Sequence, residues 1–187
     1  MKRLVMYGAL MFSLAVTVPV ASGIEYAADH LEKGNPGGAA ASLKSFDQKG
    51  GKDAGKEVSV DVWVKDVPEE LITAGFWLTY DPATVSIFKI DVYDGAALPG
   101  PWDSAMSRVV ANPGGPGAYM VIAGNLGTVK PDKKGDIIIA KVQCSCKDKC
   151  TKPIEIKPIQ GFDTVVGGNG KVYDGIIKPA AFTIHGK

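Results

Sequence analysis

The sequence predicts an all-β domain, a sandwich or jelly roll of about eight or nine short strands. Three observations carry this. Apolar residues recur with a period of two: Val58, Val60, Val62 and Val64 are interleaved with Ser59, Asp61 and Trp63. The connectors are dense in breakers, as in Pro99-Gly100-Pro101, Asn112-Pro113-Gly114-Gly115-Pro116-Gly117 and Gly167-Gly168-Asn169-Gly170. No helical pattern separates the strands, which argues against α/β layouts.

Read in order, Lys2 and Arg3 precede an apolar run from Leu4 to Val20, then the small residues Ala21, Ser22 and Gly23. That is the layout of a cleaved secretory signal peptide over residues 1–23. The run is broken by Gly8, Ser13, Thr17 and Pro19 and is short of the ~20 residues of a bilayer span. Residues 24–38, with Asn35-Pro36-Gly37-Gly38 and little apolar periodicity, are expected to be a leader or linker. One domain is then expected over 39–187.

After Val58–Val64, Phe76, Leu78 and Tyr80 alternate with Trp77 and Thr79 until Asp81-Pro82, where proline cannot donate to a ladder. Val85–Val92, Arg108–Ala111 and Tyr119–Ala123 follow as strands. Asp136–Cys144, Ile154–Ile159, a short piece at Val172 and Ala181–His185 complete the set. The one candidate helix is a single turn near Pro68–Ile72.

The balance of 21 basic and 20 acidic residues gives no long-range field, so neither a nucleic acid nor an anionic membrane is an expected partner. No second apolar run approaches spanning length, so no membrane association is expected after signal cleavage.

Cys144, Cys146 and Cys150 lie within seven residues, which in an exported protein points to one disulfide and one leftover thiol. Cys144 and Cys146 share a strand face with parallel Cβ vectors and should not bond each other. Cys146 and Cys150 bracket Lys147-Asp148-Lys149 as a hairpin loop and are the expected pair, with Cys144–Cys150 as the alternative. No metal is expected: a closed zinc site needs four ligands, and His30 and His185 are far away in sequence. Asp91-Val92-Tyr93-Asp94-Gly95 is a fragment of a calcium loop and reads as a turn.

No catalytic residue and no cofactor are expected. His30 lies in the expected leader and His185 at the C-terminal end, so neither is placed as a general base. A carboxylate pair for glycoside hydrolysis is not singled out, because the acidic residues cluster at turns. Gly167–Gly170 lacks the Lys-Ser/Thr of a phosphate loop. Flat aromatic rings are the remaining candidates for contact with a ligand. Trp63 and Trp77 sit opposite the aliphatic stripe of their strands, on the expected outer face. Trp102, in Gly100-Pro101-Trp102-Asp103, either presents its indole to solvent from a rigid loop or caps one end of the core.

Several segments together resemble the cohesin family and the related jelly-roll carbohydrate-binding modules. They are Val58–Val64, Gly75-Phe76-Trp77-Leu78-Thr79-Tyr80-Asp81-Pro82 with Val85 and Ile87, Lys134-Gly135-Asp136 into Val142, and Tyr173–Ile177 with Phe182–Ile184. The likeness covers residues 39–186, and the three-cysteine cluster is no part of the family's usual pattern. It implies a cohesin-like jelly-roll β-sandwich of about nine strands that binds without catalysis, with a dockerin-type module as partner through one sheet face. A module binding extracellular polysaccharide is the alternative. A structural subunit, whose 24–38 leader adds a strand to a neighbour, is a third. All three imply a secreted location, extracellular or periplasmic.

Overall fold

A computed structural model describes residues 23–30, 46–47, 57–147, 150, 152–159 and 161–185. In chain order the strands are β1 Glu25–His30, β2 Phe46–Asp47, β3 Val58–Lys65, β4 Leu71–Thr79, β5 Val85–Val92 and β6 Asp103–Ala111. There follow β7 Ala118–Val129, β8 Ile137–Cys146, β9 Ile154–Lys157, β10 Val166–Gly167, β11 Ala180–Phe182 and β12 Ile184–His185. One sheet has the order β1-β3-β8-β5 and the other β11-β9-β4-β7-β6, with β10 beside β4. Pairing within both sheets is antiparallel, while β2 and β12 form a separate parallel pair. This is the expected jelly-roll β-sandwich.

The period-two pattern does what it predicts. Val58, Val60, Val62 and Val64 of β3 face Phe76 and Leu78 of β4, and Val121, Val142, Ile154 and Ile156 complete the same buried cluster. Apolar burial between the two sheets, at roughly 25 cal/mol per Å², is what holds them together.

The expected leader is corrected. Residues 25–30 form β1, in register with β3 from Glu25↔Lys65 to His30↔Val60. Ile24, Tyr26 and Ala28 enter the core on alternating positions. The Tyr26 amide donates to the Lys178 carbonyl at 2.9 Å, and the Lys178 amide donates to the Ile24 carbonyl at 3.0 Å. Residues 24–30 therefore belong to the domain that was expected to begin at Ala39, and β1 covers the edge of β3. Residues 1–22 and 31–38, the rest of the expected signal peptide and leader, lie outside the described residues. The single helical turn expected near Pro68–Ile72 is also absent: Leu71 already begins β4, and no helix occurs among the described residues. His30 and His185 end β1 and β12.

Candidate docking face

β4 carries the site. Ala74, Phe76 and Leu78 point into the core, so Thr73, Gly75, Trp77 and Thr79 occupy the outer face of the larger sheet. Trp77 lies in register between Met120 of β7 and Lys157 of β9. Gly75 is opposite Ile122, and Thr79 stands between Ala118 and Glu155. On the far side of β7, Val110 and Arg108 of β6 are opposite Met120 and Ile122. A row Val110–Met120–Trp77 thus crosses three strands, apolar throughout, with Lys157 at its end. Val110 is 38% exposed, and Met106 on the same strand 44%.

Glycine shapes this face. A Cβ on Gly75 would stand 3.0 Å from both the Val121 carbonyl oxygen and the Thr164 side chain, so no larger residue fits without a shift. A Cβ on Gly114, in the Asn112–Gly117 turn, would stand 3.7 Å from the Trp77 ring.

Charges on the face are paired at its β9 edge. The Lys157 ammonium sits 2.5 Å from Glu155 Oε2, and the Thr79 hydroxyl donates to the same oxygen at 3.2 Å. The Lys157 hydrogen bond, first, holds the Glu155 carboxyl below its ordinary range. At the rim, Asp81 Oδ2 pairs with Lys152 Nζ at 2.9 Å and Asp81 Oδ1 accepts the Ala83 amide at 3.0 Å. Thr79, Tyr80, Asp81 and Pro82 line one side of an open groove there, and Lys152, Pro153 and Glu155 the other. Tyr80 stacks on Tyr119 with ring centroids 6.1 Å apart. Among the described residues no group of three or more His, Cys, Asp or Glu is arranged to hold a metal ion, and no helix is long and apolar enough to cross a membrane.

No protein-family model and no curated protein matches the sequence. Solved structures do. A cohesin of Clostridium thermocellum, solved as a type I cohesin–dockerin complex, shares 14% identity at a TM-score of 0.54, covering 87% of this chain and 99% of its own. The sixth cohesin of Acetivibrio cellulolyticus scaffoldin B, solved in complex with a Cel5 dockerin mutant, shares 14% at 0.54 over 89% and 100%. The cohesin module of a Clostridium perfringens family 33 glycoside hydrolase shares 11% at 0.51 over 87% and 97%. The fold is the cohesin fold.

Within this cohesin-like domain the three tryptophans separate. Trp77 alone is on the half-open outer face of β4. Trp102 is 3% exposed, and its Nε1 donates to the Ile138 carbonyl at 2.6 Å. It caps the core and is corrected as a surface contact, because its indole finds both apolar neighbours and a backbone acceptor inside. The loop reaches this position because Gly100 packs where a Cβ would lie 2.2 Å from the Tyr93 carbonyl oxygen. Trp63 is on the outer face of the smaller sheet, in register with Ala27 and Ile138, but is only 7% exposed. It too is corrected as an open contact.

Cys146 and Cys150 are joined in a disulfide, and Cys144 is a buried free thiol. Burial pushes the Cys144 thiol up to about 12, so it stays protonated. Sequence reasoning missed Met120, Ile122, Val110, Glu155 and Lys157 as members of the face. The alternation of Tyr119–Ala123 is visible, but both of its phases are apolar, so only the sheet register tells which phase is outside.

Proposed function

We propose that this chain is an exported, non-catalytic cohesin-like binding module whose outer β9-β4-β7-β6 face docks a dockerin-type protein partner. The observation that supports it most is the Val110–Met120–Trp77 row on a half-open sheet face, flanked by paired rather than bare charges. A large ring at the centre of such a patch is the usual anchor of a protein interface, worth ~2 kcal/mol or more on truncation. The solved cohesins in complex with dockerins support the choice of partner. A disulfide, together with the basic and apolar N-terminal pattern, supports a secreted location, extracellular or periplasmic.

Polysaccharide binding is the weaker reading, because a flat glycan platform uses several coplanar open rings and only Trp77 of the three tryptophans is on an open face. The structural-subunit reading loses its donor strand over 25–30, which β1 uses within its own sheet.

The experiment is isothermal titration of the full chain against dockerin modules encoded by the same organism. Binding should be found, and Trp77→Ala should weaken it more than tenfold, about 1.4 kcal/mol, in a variant that is still folded. A Trp77→Ala variant that binds like the parent would move the contact elsewhere.

A further inference from the structure

We propose that the Cys146–Cys150 disulfide is the latch that assembles the rim groove beside the docking face, and that burial keeps Cys144 out of it. The groove has two walls from distant parts of the chain: Thr79–Pro82 after β4, and Lys152, Pro153 and Glu155 before and within β9. Something must hold the chain after β8 against the turn after β4.

Lys147, Cys150 and Lys152 do so. The Lys147 amide donates to the Thr84 carbonyl at 2.7 Å, and the Lys147 ammonium donates to the Pro82 carbonyl at 2.8 Å. Cys150 is bonded to Cys146 at the end of β8, and its Sγ rests 3.1 Å from the Thr84 carbonyl oxygen. Lys152 then reaches Asp81. Lys147 and Lys152 are both exposed side chains, and exposed ion pairs and hydrogen bonds of this kind contribute little alone. The disulfide is the one covalent tether, and it sits between them.

The third cysteine endangers such a latch, because Cys144 lies on the same face of β8 as Cys146. It is removed from exchange by its place in the core, with Sγ 3.7 Å from the Val58 carbonyl oxygen. A buried protonated thiol is a poor nucleophile toward a disulfide. The chain thereby obtains one defined pairing out of three closely spaced cysteines.

The latch stands without any partner; only its bearing on docking rests on the function proposed above. Its test therefore uses no partner. The full-length folded chain is compared with its Cys146→Ser/Cys150→Ser variant, and with the parent after dithiothreitol, which takes the disulfide to two thiols while closing to its own cyclic disulfide. Amide hydrogen exchange and the carboxyl titration of Asp81 by NMR are the readouts. Without the disulfide, the amide of Lys147, which donates to the Thr84 carbonyl, should exchange at least tenfold faster. Asp81, held low chiefly by its hydrogen bond to Lys152, should titrate closer to an ordinary aspartate. Core amides of β3 and β7 should be unaffected. Unchanged exchange and titration would overturn the latch. So would core amides that open together with the rim, which would make the bond a staple of the whole fold, or peptide mapping that finds Cys144 bonded.

Discussion

The Tyr26 hydroxyl donates a hydrogen bond to the backbone carbonyl of Gly75, tying the edge strand β1 of one sheet to the central strand β4 of the other. The same ring meets Phe76 edge-on, with centroids 6.2 Å apart. Tyr26→Phe keeps the ring and leaves a buried carbonyl without its donor, at a cost of about 1–3 kcal/mol. Tyr26→Ala also opens a cavity and should cost about 3–5 kcal/mol. Deleting residues 24–30 should lower the melting temperature sharply. Urea unfolding curves check all three, and a truncated protein as stable as the parent would remove β1 from the domain.

Alkaline pH should destabilise the fold. Burial first, and then the nearby Asp174 charge, raises the Tyr26 phenol well above its ordinary value. Burial and the hydrogen bond from Tyr93 to Asp61, 2.7 Å, raise Tyr93 in the same way. Above about pH 10 the unfolded chain releases these protons and the folded chain keeps them. Stability is therefore full below that pH and falls above it, by up to about 1.4 kcal/mol per pH unit for each tyrosine still protonated. Denaturant titrations from pH 9 to 11.5 measure the slope, which should shrink in Tyr26→Phe. A flat profile would contradict the burial assignment.

The two tryptophan substitutions should part company. Trp102→Ala empties a core site and strands the Ile138 carbonyl, so a loss of about 3–5 kcal/mol is expected. Trp77→Ala removes a partly exposed ring from a sheet surface and should cost less than Trp102→Ala, by at least about 1 kcal/mol. Chemical unfolding of both variants separates them; equal losses would mean that Trp77 is a core residue.

Gly100→Ala should be as damaging as a core mutation, because its methyl group would lie 2.2 Å from the Tyr93 carbonyl oxygen, a backbone atom that cannot rotate away. The Trp102 amide, which donates to that same oxygen at 3.1 Å, would be displaced with it. A melting temperature within a degree of the parent would show that the loop has room to move.

Cys144 should react only when the protein opens. At pH 8 its thiol is protonated and shielded, so an excess of a thiol-modifying disulfide should label it at the rate of unfolding. Stoichiometric labelling within seconds in native buffer would place it at the surface.

The sequence by itself determined the sandwich. Alternation in Val58–Val64 and Phe76–Tyr80, and breakers at Asp81-Pro82 and Asn112–Gly117, are local signals, and a strand needs no more than a two-residue period and a stop. It favoured Cys146–Cys150 over Cys144–Cys150 on local hairpin geometry, and the tertiary structure, which buries Cys144 in the core, decided between them. Tertiary structure alone decided the rest. Residues 24–30 carry a weak stripe of Ile24, Tyr26 and Ala28, and 25–30 become a strand because β3 has an open edge to receive them. Trp63, Trp77 and Trp102 are the same residue type in similarly apolar or turn-rich settings, and which one meets solvent depends on what packs against each from elsewhere in the chain. Trp102 is received by β8, whose Ile138 carbonyl accepts its Nε1, whereas Trp77 stays partly exposed on the outer face of β4. The row Val110–Met120–Trp77 joins residues up to 43 positions apart (120 minus 77), and only sheet register, set by cross-strand pairing, brings them onto one face.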